Sequence, residues 1–323
     1  MNSSKKIESI VIWRVIACLG VFAVHLGQRM NLSGYIRLIS DFGKYGVQLF
    51  FIISGLLSAE QMFAEGGTAL SYWRKRAVRI LPLYYFVIFY YFLSETLIWK
   101  DIPVDDTGLG WMRYLFFLSG FVKSDTYFWS NLGITWTIPV FVLFYFSVPF
   151  VFKIVKDFKS SLVLYAVLLL LAWGIKIFCN GNFAAITYLP FFAEGIIVFF
   201  AKREKREALV IFLSSVALIG KLILGNIDST TYSFLFMIII IATWDVKIPS
   251  GKIKQIISVL DKYSYTIYLG QGLIFCGFID KFSFGPAVVL GIAIFGTSLL
   301  VFFVYNFIEY PIQKFLKSIV NER

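Results

Sequence analysis

One histidine, His25, serves the whole chain, and 19 acidic residues face 30 basic ones. A lone histidine excludes a metal centre built on several imidazoles and leaves one side chain for histidine-type acid–base chemistry. The three cysteines, Cys18, Cys179 and Cys276, are far apart and lack metal-ligand spacing. They read as small buried hydrophobes, with neither a zinc site nor a disulfide framework. Charge of either sign is scarce, at 15% of residues. No low-complexity tract, soluble domain or internal repeat is evident, so 1–323 reads as a single membrane domain. The missing repeat weighs against an inverted-repeat transporter.

What fills the chain is apolar: 59% hydrophobic and 19% aromatic residues, with mean hydropathy +0.79. That is too apolar for a soluble globular protein and fits a polytopic membrane protein. A net charge of +11 would suggest nucleic acid in a soluble protein. Here the basic residues sit in short clusters between apolar runs, which is a topology signal and not a nucleic-acid surface.

Ten runs approach the length of a spanning helix: 9–29, 45–63, 78–98, 134–153, 161–179, 186–201, 207–224, 231–245, 262–279 and 286–308. The expectation is an all-α integral membrane protein, a bundle of about ten transmembrane helices. The first run follows Lys5 and Lys6 as a signal peptide would, but no small-x-small cleavage pattern follows it, so it is expected to remain as the first span. With the N terminus inside, the inner loops collect Lys5 and Lys6, Arg74–Arg79, Lys153–Lys159, Lys202–Arg206, Lys247–Lys262 and Lys314–Arg323, while Asp101, Asp105 and Asp106 fall outside. Both termini are therefore placed in the cytoplasm. The segment 111–122, "WMRYLFFLSGFV", is too brief to span and is assigned to an interfacial or re-entrant piece.

Several polar groups interrupt these runs. Arg14 and His25 are eleven residues apart in the first, which puts them on one helical face about 16 Å apart, with Cys18 and Val21 between them. Arg14 lies near the inner surface and His25 toward the outer end. Snorkelling and a carbonyl hydrogen bond would account for them individually. Ser54 and Gly55 in the second run suit close helix packing. Arg76 and Arg79, three apart, project to one side as a pair of guanidinium forks suited to phosphate; with Arg14 they make a three-arginine cytoplasmic site. Glu95, Glu194, Lys176 and Lys221 are the other ionisable groups read as buried, with Glu194 nearest mid-membrane.

Together these stretches resemble the acyltransferase-3 family of integral membrane acyltransferases. Arg14 and His25 match its arginine, ten residues, histidine signature; "GVQLFFIISGLL" (46–57) and "RAVRILPLYY" (76–85) match its second-helix and arginine-pair motifs. Weaker matches follow in "TWTIPVFVLFYFSVPFVF", "FFAEGIIV", "YSYTIYLGQGLIF" and "NFIEYPIQKFL", so the resemblance covers nearly the whole chain. Two positions depart: Phe141 and Gln271 stand where many members carry glutamate and histidine.

The resemblance implies a membrane enzyme, in the bacterial cytoplasmic membrane, that moves an acyl group, usually acetyl, from cytoplasmic acyl-coenzyme A to a hydroxyl of a surface or lipid-linked carbohydrate. Coenzyme A would be a donor substrate and no cofactor would be bound. Membrane lipids and the carbohydrate acceptor are the other expected partners. On this reading His25 is the catalytic base, or secondarily an acyl-carrying nucleophile. Arg14, Arg76 and Arg79 bind the donor's phosphates, and Ser54, Trp136, Glu194 and Tyr268 support the site. Asp41 and Glu95 are candidates to orient His25. The main alternative is a proton-coupled transporter or flippase using His25 and Glu194.

Overall fold

A computed structural model describes residues 7–30, 32–64, 68–99, 110–121, 133, 135–178 and 183–321. Lys5, Lys6, Asp101, Asp105, Asp106 and Cys179 lie outside the described residues, as does the side chain of Glu95. Among the described residues every regular element is helical. In chain order they are α1 (Glu8–Arg29), α2 (Gly34–Phe42), α3 (Gly46–Ala64), α4 (Ala69–Leu93), α5 (Gly110–Leu115), α6 (Thr137–Ile154), α7 (Phe158–Phe178), α8 (Ala184–Thr187), α9 (Leu189–Arg203), α10 (Glu207–Ile223), α11 (Ser229–Ala242), α12 (Lys252–Phe275), α13 (Pro286–Gly291), α14 (Thr297–Val304) and α15 (Tyr310–Asn321).

The described residues of the ten apolar runs are predominantly helical, and among the described residues seven stretches are long and apolar enough to cross a membrane: Glu8–Arg29, Gly34–Phe63, Ala69–Ile98, Thr137–Ile154, Phe158–Phe178, Ala185–Arg203 and Pro286–Ser318. The other three fall short for physical reasons. At 17 and 14 residues, α10 and α11 are short for a hydrocarbon core of about 30 Å. Helix α12 is long enough at 24 residues but polar, with Asp261, Ser264, Thr266 and Gln271 all buried. A helix that faces protein need not be as greasy as one that faces lipid. Helix α7 is the opposite case: Phe158 and Ser161 are buried and Leu162, Leu164 and Tyr165 pack against the core, while Val163, Val167, Leu170 and Trp173 turn outward.

Two close helix pairs position everything that follows. Helices α1 and α12 lie side by side in the same direction: Glu8 meets Lys254 (2.8 Å), Arg14 meets Asp261 (2.6 Å) and Arg29 meets Asp280 just beyond α12 (2.6 Å). Helices α3 and α9 cross where Gly55 meets the Phe192 backbone and Gly195 meets that of Ile52; a Cβ on either glycine would lie 2.0 or 1.9 Å from a carbonyl oxygen. The small residues of the second run thus do what their size suggests. In 111–122 the chain forms α5 and a short 3-10 turn over Leu118–Phe121. Tyr84 and Tyr85, well inside α4, donate to the carbonyls of Tyr114 (2.6 Å) and Leu115 (3.0 Å), so hydroxyls from a spanning helix satisfy backbone that would otherwise be costly at this depth.

Two lysines read as buried are placed otherwise. Lys176 is exposed near the end of α7. Lys221 reaches across the α10–α11 turn to both oxygens of Asp228 (2.9 and 2.8 Å). Asp228 also caps α11 by accepting from the amides of Thr230 and Thr231 (2.9 and 3.1 Å). Partial burial pushes its carboxyl up, but the bonds from Lys221, Thr230 and Thr231 outweigh this and bring it down to about 2 from 3.8. A carboxyl lowered by folding stabilises above its unfolded value and loses that contribution as pH falls through its folded one. Asp228→Ala is expected to cost about 1 kcal/mol at neutral pH, as a lost cap does. In paired thermal melts the gap from the parent should close as pH falls from about 4 toward 2; a pH-independent gap would refute the capping role.

Candidate functional site

A cavity of about 110 Å³, room for several waters, opens among α1, α3, α4, α6 and α12. Its wall carries Arg14, Ser54, Arg76, Arg79, Tyr145 and Tyr268 over an apolar lining that includes Phe50 and Phe141. The three arginines singled out in the sequence therefore share one site, together with Ser54 and Tyr268. Phe141 fills the wall with an aromatic ring where a carboxylate would have offset part of the positive charge.

The three guanidiniums differ in their attachments. Arg14 is held by Asp261, which is 5% exposed and accepts from Nε at 2.6 Å and from Nη2 as well. Arg76 donates to Gln61 Oε1 (3.2 Å) and lies over the rings of Tyr72 and Tyr145, 5.1 and 4.8 Å from their centroids. Arg79 makes no hydrogen bond or ion pair among the described residues. Protein surrounds it on all sides, with Arg14, Arg76, Asp261 and Tyr145 nearby, yet its side chain is solvent-accessible because it borders the cavity. The lining carries three guanidiniums and no carboxylate, and Asp261 behind Arg14 and Glu309 toward Arg79 offset only part of that positive charge. Such a site recognises an anion, and a planar fork with free donors suits phosphate oxygens.

The wall is itself braced. Tyr268 shares a 2.9 Å hydrogen bond with Thr137, and Tyr265 donates to the Ile80 carbonyl one residue beyond Arg79 (2.9 Å). Behind α12, Glu309 accepts from Thr266 (2.5 Å) and Gln313 (2.9 Å), fixing the last helical segment to the helix that carries Asp261 and Tyr268.

His25 does not border the cavity. It lies farther along α1, beside the Phe275 ring (6.4 Å between centroids). The charges closest to it are Arg29 and Asp280. Arg29 donates to the His25 carbonyl (3.1 Å), grips Asp280 through Nε and Nη2 (2.8 and 2.6 Å) and touches Cys276 Sγ (3.4 Å). Neither carboxylate suggested for orienting His25 takes that place: Asp41 pairs with Arg37 within α2, and the Glu95 side chain is outside the described set. Asp280 is the acidic group near His25.

Two other expected residues sit apart from the cavity. Trp136, at the entry to α6, packs against Tyr188 and Phe51 (4.8 and 6.4 Å between centroids) and backs the wall without reaching it. Glu194 is fully buried where α7, α9 and α11 meet, accepting from Tyr165 (3.1 Å) and Ser233 (2.9 Å) through Oε1. Its second oxygen has no partner among the described residues, and no cation lies against it, so it is not the counter-ion of a buried arginine. The described residues hold no cluster of three metal-ligating side chains.

The model of a family described as "Acyltransferase domain" matches residues 7–307. Among curated proteins, O-acetyltransferase OatA of Staphylococcus aureus is 24% identical over 348 residues, covering 93% of this chain and 56% of the relative. Nodulation protein 10 of Rhizobium leguminosarum bv. viciae is 26% identical over 156 residues, covering 43% of this chain and 40% of that protein. The chain spans about half the length of the first of these relatives. No solved structure matches it. With the family match running from the start of α1 into the last spanning segment, through every helix that builds the arginine cavity, the chain belongs to this acyltransferase family.

Proposed function

We propose that the protein moves an acetyl group from cytoplasmic acyl-coenzyme A to a hydroxyl of a surface or lipid-linked carbohydrate, as a multi-pass enzyme of a bacterial cytoplasmic membrane. The observation that carries this reading is Arg79, a guanidinium with free donors facing a cavity that two more arginines border. Coenzyme A supplies what such a cavity lacks, a cluster of phosphates on a slender thioester-bearing arm. The O-acetyltransferase named among the relatives supports acetyl as the group and a hydroxyl as its destination.

On this reading ten crossings with both termini inside remain the topology. The parallel course of α1 with α12, the first and ninth runs, is what alternating passage gives. Arg79 and Arg76 hold the donor's phosphates while Arg14, tied to Asp261, sets the positive wall on the α1 side. His25, on the same face of α1 about 16 Å farther out, receives the acyl end. The acceptor hydroxyl attacks the thioester carbonyl and its proton passes to His25; the coenzyme A thiolate leaves and takes that proton as the ester forms. Against a proton pathway shared by His25 and Glu194 stands their setting: His25 lies beside Phe275 of α12, whereas Glu194 bonds Tyr165 of α7 and Ser233 of α11.

The test is release of free coenzyme A thiol from acetyl-coenzyme A when a carbohydrate acceptor is present. Removing a guanidinium that makes charge-assisted bonds to phosphate is expected to weaken donor binding by about 10- to 100-fold in Arg79→Ala. Arg79→Lys should restore only part of it, since the fork is lost. Movement of solute without consumption of thioester, or unchanged donor affinity in Arg79→Ala, would overturn the reading.

A further inference from the structure

The cavity and His25 are joined by a single seam. On α1 it comprises Arg14, Cys18, Val21 and His25, and on α12 it comprises Asp261, Ser264, Tyr268, Gln271 and Phe275, both at alternating spacings of three and four residues. Its ends are set by Arg14 on Asp261 and His25 beside Phe275, with Cys18 Sγ donating to the Ser264 carbonyl (3.3 Å) between them. Tyr268 borders the cavity, and from there outward the seam is dry: Val21 is 3% exposed and Gln271 and Phe275 are fully buried.

Gln271 is out of place in that dry stretch. Its Nε2 donates back to the Tyr268 carbonyl (3.1 Å), but its Oε1, also buried, has no hydrogen-bond partner among the described residues. A buried amide carbonyl left unpaired is costly, and an apolar side chain of similar size would fill the position without that cost. Gln271 stands about 15 Å along α12 from Asp261, at the arginine end, and about 6 Å short of Phe275, at the histidine end. A donor with phosphates at the arginines and its thioester at His25 would lay the middle of its arm across this position. In coenzyme A that arm is pantetheine, whose two amides each present an N–H donor beside a carbonyl, along with one hydroxyl.

We propose that Gln271 is a donor-binding residue whose Oε1 accepts an amide N–H of the pantetheine arm. The inference rests on the reading of the cavity as the acyl-coenzyme A site. The arm enters by displacing Tyr268, the seam residue that already borders the cavity, and the unpaired acceptor is satisfied only when the donor lies along the seam.

The experiment uses the full chain in lipid nanodiscs with two donors, acetyl-coenzyme A and an analogue whose pantetheine amides are replaced by esters that have no N–H. Gln271→Leu is expected to lower kcat/KM for acetyl-coenzyme A by about tenfold, the effect of one neutral hydrogen bond, with little change for the ester analogue. The melting temperature should be unchanged or raised, because an unpaired buried carbonyl has been removed. Equal losses with both donors, no loss with either, or a melting temperature that falls with activity would overturn the assignment and leave Gln271 structural. If the parent protein consumes neither thioester, the donor reading of the cavity fails as well.

Discussion

His25→Ala is expected to lower acetyl transfer by about 10²- to 10⁴-fold, the usual range for a positioned acid–base group, while leaving affinity for acetyl-coenzyme A close to that of the parent. The separation follows from the geometry. His25 is not part of the cavity wall, and the donor's phosphates would be held by Arg76 and Arg79, on α4, with Arg14 about three turns earlier on α1. The fold around His25 has its own support in the two-point grip of Arg29 on Asp280, which the substitution does not touch. Arg79→Ala should give the reverse pattern, a raised KM for donor with a smaller change in kcat, because saturating donor restores occupancy. Measured side by side, the two variants separate holding the donor from moving the proton. A His25→Ala protein that retained full turnover would remove the imidazole from the chemistry, and one that lost donor binding in parallel would place His25 in the donor site.

The three arginines were legible because they announce themselves locally. Arg14 interrupts an apolar run, and Arg76 and Arg79 fall at the spacing that puts two forks on one helical face. The resemblance to the acyltransferase-3 family pointed to the same three residues, and the cavity collects them. Their acidic counterpart was not legible. Asp261 lies 247 residues from Arg14, in a stretch whose lysines and aspartate read as a loop, so the ninth apolar run begins at 262 although α12 begins at Lys252. Average hydropathy misjudges a helix whose polar residues face other helices. For the same reason the sequence points to Asp41 and Glu95 as carboxylates for His25, whereas the parallel packing of α1 with α12 brings up Asp280. Glu194 illustrates the converse: a mid-membrane carboxylate drew attention by position alone, and its partners prove to be two hydroxyls away from the cavity.

Gly195→Val should be among the most damaging single substitutions in the protein. The first atom added to Gly195 would lie 1.9 Å from the Ile52 carbonyl oxygen and 2.7 Å from the Leu56 nitrogen, so backbone and not a movable side chain is in the way. Helices α3 and α9 would have to separate along the crossing that buries Phe51, Ile52, Leu56, Phe192 and Ile196, and overpacking of this kind costs about 3 kcal/mol or more. Ser54 sits on α3 next to Gly55, the other half of that crossing, and borders the cavity. A shifted α3 therefore moves the cavity wall too, and donor binding should fall even in the fraction of protein that survives solubilisation. Gly174, on lipid-facing α7, provides the control because nothing lies within 4 Å of the position its Cβ would take. Gly174→Ala should be neutral or stabilising by about 0.5–1 kcal/mol, the helix preference for alanine over glycine. Melting temperatures of the two variants in the same detergent decide the matter: a Gly195→Val protein as stable as Gly174→Ala would mean that α3 and α9 do not cross in contact at these glycines.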